Sequence, residues 1–393
     1  MVVAVAGMSL GTVAWAATVG RQQAFGLAVD FRIFYDGAVA LSRGHSPYAA
    51  AGFVSPPGLA ALLLPVTRLP LWLAYGLFVL LSGSLSTAAM IGFARALSWR
   101  RGWLLAAIVL VSWLGLATLI WGQVDLLLVA GLLASMWMLV RDRPFLAGLA
   151  VGVFMLKPDV MWPAVIFLGL ALWPDRRHLV RYGAGTVTTS ALLLAAGFEW
   201  LPAWLHALVH FGAGIGVQPS LAGLPGLLNA APTAWGLGRG FHSPVVWAIV
   251  GLGLVALATL GWSVVRSQRL RAMPQPERLI WAASFSMGTW LLVTPYAHGG
   301  ILYLLPMLMM VVGKDGSGLG RPGPALTVLA VVALAPMWQL HLTPITLTPL
   351  STALVLWAGI RGFQGCAPRL GPTALGADVD RVRLPLLDST PAL

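Results

Sequence analysis

Apolar residues run in long blocks along this chain, and short polar stretches divide them. Val2–Val19, Leu71–Ala94, Gly102–Leu119, Leu126–Val140, Tyr182–Ala196, Val245–Val265, Leu279–Val293, Ile301–Val312, Ala325–Leu340 and Ile345–Ile360 read as apolar helices. Phe145–Leu156 and Val160–Trp173 are shorter, and Lys157-Pro158-Asp159 lies between them. Apolar runs of about 18 or more residues predict membrane spans, whereas a membrane β-barrel would show alternating segments of about ten. The expectation is an all-α, polytopic transmembrane helix bundle of about twelve spans with a large first outer loop. Pro57–Pro65 is too short to cross and is read as re-entrant or interfacial. Residues 197–243 form a second long loop, rich in Gly and Pro. Ala14-Trp15-Ala16 imitates a signal-peptidase site, but no basic stretch precedes it, so the first helix is expected to be retained. One membrane domain is expected over residues 1–361, followed by a poorly ordered cytoplasmic tail over residues 362–393.

Composition agrees with this division. Apolar residues make up 59% of the chain and charged ones 9%. The single Cys366 excludes an intramolecular disulfide and any Cys-based zinc or iron–sulfur site. A net charge of +12 would fit nucleic acid, but the basic residues sit in short loops between spans, so topology accounts for them and no nucleic-acid partner is expected. With the amino terminus in the cytoplasm, 18 of the 24 Lys and Arg residues fall on the cytoplasmic side, as the positive-inside rule requires. The same alternation brings Asp30, Asp36, Asp125, Asp159, Glu199, His206, His210, His298 and His341 to the outer face. That gathering is independent of the charge bias that sets the orientation. It points to a reaction centre facing the periplasm or exterior of a multi-pass protein in the plasma or inner membrane.

Ionisable residues near membrane depth are costly and usually mark a site. The stretch from Val29 to Pro57 is dense in them, with Asp30, Arg32, Tyr35, Asp36, Arg43, His45 and Tyr48. Asp30 is read as a catalytic base, against the alternative that it is only solvated at the interface; Asp36 is read as structural. Lys157 stands between two short helices, where polar ligands are often held; it would meet a phosphate, or pair with Asp159. Trp121-Gly122-Gln123-Val124-Asp125 forms a tight turn. Gln123 and Asp125 would hydrogen-bond a ligand hydroxyl, or Asp125 would simply complement a helix dipole. His298, in the break Thr294-Pro295-Tyr296-Ala297-His298, would hold a phosphate or remain hydrated. Tyr35, Tyr48 and Tyr296 offer ring faces to a ligand. His206 and His210 are four apart but lack an acidic partner in a recognised motif, so neither a metal site nor a cofactor is expected.

Asp30-Phe31, the aromatic pair Phe34-Tyr35, the small residues that follow, Gly44-His45-Ser46-Pro47-Tyr48 and Ser55-Pro56-Pro57 together resemble the first loop of family 87 glycosyltransferases of the GT-C type. Gly122-Gln123 resembles that family's Gly-Gln motif, Ala147–Ala150 with Lys157-Pro158 its small-residue helix and Lys-Pro, and Pro295-Tyr296-Ala297-His298 its late turn. The resemblance implies an inverting transfer of a sugar, usually mannose, from a polyprenyl-phosphate donor to a lipid or glycan acceptor. It implies Asp30 as base and His298 as a contact of the donor phosphate. A transferase acting on such a donor needs one carboxylate, because phosphate departs without acid assistance, unlike the paired carboxylates of glycoside hydrolysis. No Gly-rich phosphate loop is present, which fits a lipid donor. A transporter or flippase of lipid-linked sugars would instead show polar residues near the bilayer midplane and related halves. A non-catalytic assembly subunit would bind partners through the same loop without turnover.

Overall fold

The computed structural model describes residues 27–99, 109–110, 113–215, 244–294 and 300–313. The expected helices at Val2–Val19, Ala325–Leu340 and Ile345–Ile360, the tail, Tyr296 and His298 lie outside these residues. The described residues are helical, with turns and no strand.

The helices follow the apolar blocks. They are α1 (Val29–Ser42), α2 (Pro57–Leu63), α3 (Leu71–Ala96), α4 (Trp113–Trp121), α5 (Asp125–Val140), α6 (Pro144–Val151) and α7 (Pro158–Ala171). Then come α8 (Arg176–Ala195), α9 (Leu201–Ile215), α10 (Pro244–Arg266), the short α11 (Gln268–Arg271), α12 (Gln275–Val293) and α13 (Leu305–Gly313). Proline starts several of them: α2, α6, α7 and α12 carry it at the first or second position, where the absent N–H is not missed. Asp175 caps α8 by accepting from the His178 backbone N–H at 3.1 Å.

Two of these helices, α3 and α10, are long and apolar enough to cross a membrane. A third candidate is the broken pair Arg176–Ala195 with Phe198–Leu208, bent by 75°. On α3, Leu73, Leu77, Leu81 and Leu85 repeat every four residues, and all are exposed. That spacing lays an apolar stripe along one face of the helix, which in water would be a liability and in lipid is a solvent contact. α10 exposes Trp247, Leu252, Leu254, Val255 and Trp262 in the same way. The apolar helices and the exposed stripes make this a membrane protein.

The centre of the bundle is α5. Leu126, Leu128, Val129, Leu132, Leu133 and Met136 are all completely buried, and α3, α6 and α12 pack around it. At 16 residues α5 is about 24 Å long, short of the roughly 30 Å hydrocarbon core. Among the described residues, the helices with the most extensive mutual contact are α6 and α8. A Cβ on Gly148 would strike the Tyr182 carbonyl oxygen, and one on Gly185 would strike that of Phe145. Glycines facing each other let two backbones touch, which is how helices associate where lipid removes the hydrophobic drive.

Helix α6 passes into a 3-10 stretch, Gly152–Leu156, and breaks at Lys157 before α7 begins at Pro158. This is the interruption that the sequence predicts. One expectation is corrected: the region 197–243 does not begin as a loop. Residues 201–215 form helix α9, whose Trp204 Nε1 donates to the Val54 carbonyl at 3.1 Å. Gly and Pro concentrate after this helix, so the average composition of the segment concealed its helical start.

Candidate functional site

The site begins with the docking of α1 on the turn that follows α4. The Ala28 N–H donates to the Ile120 carbonyl at 2.7 Å, from a residue in the left-handed region at φ 57°. Phe31 is fully buried and packs against Tyr75 and Phe78, with ring centroids 5.7 and 5.1 Å away. Tyr75 donates its hydroxyl to the Leu119 and Ile120 carbonyls at 2.8 and 2.9 Å. Gly122 sits at φ 71°, and a Cβ there would overlap that of Phe31. Glycine is required twice over at this position, by its backbone angle and by the close approach of α1.

This docking sets Asp30 against Gln123. The Gln123 Nε2 donates to Asp30 Oδ2 at 2.7 Å, across 93 residues of sequence. Gln123 is buried, whereas Asp30 is half-buried. Among the described residues, Gln123 is the only side chain that hydrogen-bonds the Asp30 carboxylate. Burial pushes the Asp30 carboxyl above the usual carboxylate range, and the nearby Asp125 adds to that. The Gln123 hydrogen bond and the charge of Lys157 oppose it.

Behind Asp30 lies a buried ion pair. Asp125 is wholly enclosed, and the Lys157 Nζ lies 3.0 Å from its Oδ1 and 3.4 Å from its Oδ2. The Tyr303 hydroxyl also donates to Asp125 Oδ1. Lys157 keeps 16% of its side chain exposed, so the pair is reached from the Lys157 side. The charge of Lys157 acts on both Asp30 and Asp159. Asp30, Asp125 and Asp159 thus share the field of one ammonium, which is in contact with Asp125. Each lies in the first turn of its own helix: Asp30 in α1, Asp125 in α5 and Asp159 in α7. Partial positive charge at a helix N-terminus offsets part of their repulsion.

An aromatic pair flanks the cluster. Trp162 and Trp290 meet edge to face at 5.1 Å, and Trp290 Nε1 donates to the Asp159 carbonyl at 2.8 Å. Both rings are partly exposed.

Of the candidate residues that the sequence offers, Asp30, Gln123, Asp125 and Lys157 come together. Tyr35 and Tyr48 do not join them by their hydroxyls. Tyr35 donates to the Leu69 carbonyl at 2.6 Å, and Tyr48 to that of Ser55 at 3.1 Å, so both fasten the first loop to itself. Asp36 makes an exposed pair with Arg32 at 3.8 Å. His206 and His210 stack at 3.9 Å on α9. Among the described residues, no group of three or more His, Cys, Asp or Glu is arranged to hold a metal ion. Sequence reading missed Tyr303, Trp162 and Trp290. The signal for Tyr303 was present, because it is a lone phenol in an otherwise apolar block.

The geometry suits proton transfer. A carboxylate that is half-buried, raised in proton affinity and held by one oxygen can accept a proton from a hydroxyl that enters from the open side. Comparison with known proteins narrows the chemistry. The sequence pattern of Glycosyltransferase family 87 matches residues 53–295. That range includes Gln123, Asp125 and Lys157 and begins after Asp30. GPI mannosyltransferase 1 of Aspergillus fumigatus is 33% identical over 184 residues, which cover 43% of this chain and 40% of that protein. The chain thus matches less than half the length of that relative. No solved structure matches.

Proposed function

The chain belongs to glycosyltransferase family 87, and on that premise we propose that it moves one sugar from a polyprenyl phosphate to a hydroxyl of a lipid or glycan acceptor. The sugar is mannose, a choice supported by the similarity to a GPI mannosyltransferase. The reaction takes place at the outer face of the plasma or inner membrane, in a bundle of about twelve spans.

The observation that carries this reading is the Asp30 carboxylate, half-buried and held by Gln123 beside Lys157. The acceptor oxygen attacks the anomeric carbon from the face opposite the phosphate. Asp30 takes the hydroxyl proton as that bond forms. The bond between the anomeric carbon and the phosphate oxygen breaks, and the polyprenyl phosphate leaves with the electron pair. Configuration is inverted, and no second carboxylate is consumed. A base whose proton affinity is raised toward working pH is better matched to a hydroxyl than an ordinary carboxylate. Lys157, with its exposed edge, and His298 neutralise the phosphate; Trp162 and Trp290 offer faces to the sugar or the prenyl chain.

The test supplies purified protein in lipid nanodiscs with labelled mannose, linked either to polyprenyl phosphate or to a nucleotide, together with a membrane lipid extract as acceptor. Transfer from the lipid-linked donor alone is expected. Transfer from the nucleotide-linked donor alone would overturn the proposal.

A further inference from the structure

We propose that Gln123 is a positioning residue for the reaction: its amide fixes the Asp30 carboxylate by one oxygen, Oδ2, and so leaves Oδ1 turned to receive the acceptor proton. The inference rests on the reading of Asp30 as base and assigns Gln123 a role different from that of a sugar ligand.

Four observations carry it. First, the amide is buried and therefore unsuited to reach a substrate, and burying it without a partner would be costly. Its Nε2 satisfies that need at Asp30, at 2.7 Å. Second, the contact is built rather than incidental. The left-handed Ala28, the bond from Ala28 to Ile120 and the Phe31–Gly122 approach fasten the start of α1 to the turn that carries Gln123, and the two bonds from Tyr75 hold that turn to α3. Third, only one carboxylate oxygen is engaged by a described side chain. A carboxylate free to rotate would present either oxygen at any angle, whereas one held at Oδ2 presents Oδ1 at a fixed one. Misplacement by about 1 Å costs on the order of a hundredfold in rate. Fourth, the other charges that bear on Asp30 are held elsewhere. Lys157 is bound to Asp125, and Arg32 pairs with Asp36 at the surface of α1. On α1 itself and on the elements packed against it, the phenols of Tyr35, Tyr48 and Tyr75 all donate to backbone carbonyls. That leaves Gln123 to orient the carboxylate.

The test measures pH–rate profiles of lipid-linked sugar transfer for Gln123→Met, Gln123→Asn and Asp30→Asn, each checked for wild-type elution and thermal unfolding. The Gln123 hydrogen bond favours the ionised form of Asp30, so its loss raises the proton affinity of that carboxyl. Activity needs the carboxylate, and it will therefore fall away at a higher pH than in wild type as the solution is acidified. For Gln123→Met, kcat is expected to drop about tenfold to a hundredfold on the alkaline plateau, with KM for the donor little changed. Gln123→Asn, with its donor one carbon short, will move the acid limb the same way and provides the readout should the Met variant fail to fold. An unmoved acid limb, or a raised KM with kcat intact, would overturn the inference; the second result would make Gln123 a ligand of the sugar. If Asp30→Asn is inactive while the Gln123 variants keep the wild-type limb, this inference fails alone. If Asp30→Asn retains its rate, the reading of Asp30 as base fails with it.

Discussion

Removing the ammonium from the Lys157–Asp125 pair should be among the most damaging single changes in the bundle. In Lys157→Met, Asp125 stays completely buried with the Tyr303 hydroxyl as its remaining side-chain donor among the described residues. Stripping one partner from a buried pair costs about 3–5 kcal/mol, because the other charge is left uncompensated. Asp125→Asn is milder, at about 1–3 kcal/mol: the amide can still accept from Tyr303, and Lys157 keeps an exposed edge and a nearby Asp30. The double variant leaves no charge of this pair buried and should lie only about 1–2 kcal/mol below wild type, since removing both charges removes their desolvation cost together with their attraction. The two sites should therefore be coupled by about 2 kcal/mol or more. Equilibrium unfolding in mixed micelles, followed by tryptophan fluorescence, measures all four corners of this cycle. Additive single losses, or a Lys157→Met loss within about 0.5 kcal/mol, would refute the buried pair as a structural anchor.

The glycines provide two further checks. Gly122→Ala combines a left-handed backbone with an overlap on Phe31, so it should cost about 2–4 kcal/mol and lower transferase activity by loosening the α1 contact; thermal unfolding and the transfer assay read the two effects. Gly185→Val forces α8 away from the Phe145 carbonyl and should cost about 1–3 kcal/mol or more, with activity per folded molecule largely kept because this interface lies between α6 and α8 and away from Asp30; unfolding that matches wild type would contradict the close helix approach.

The helix framework was legible because its signals are local. Leu71–Ala94 became Leu71–Ala96, and Leu126–Val140 gained only Asp125. The break at Lys157-Pro158 was announced by Pro158, which starts α7, and by the brevity of the apolar runs on either side. The turn at residues 121–125 depends on Gly122 and could be read from it. Of the expected spans, two described helices have the length and apolarity to cross, or three when the bent pair counts as one. Long-range partners could not be read in the same way. Lys157 and Asp159 are neighbours in sequence, which put a pair between them beside a phosphate contact as the two readings of Lys157; with the helix starting at Pro158, the ammonium instead meets Asp125 on α5. Asp125 could be seen to favour a helix N-terminus, and it does lie in the first turn, but nothing local signals that it would be enclosed by Tyr303 and Lys157. The meeting of Asp30 with Gln123 arises from the docking of Phe31 on Gly122, a contact with no counterpart in periodicity or spacing.

The central claim, that a single carboxylate takes the acceptor proton, is tested most directly by Asp30→Asn. The amide keeps the size of the side chain and can still bond to Gln123, but it cannot accept a proton. Single-turnover transfer from labelled polyprenyl-phosphate mannose, measured alongside binding of the same donor, should show wild-type binding and a rate lower by about 10²–10⁴-fold. Undiminished transfer with normal binding would contradict the account and move the reaction away from this carboxylate.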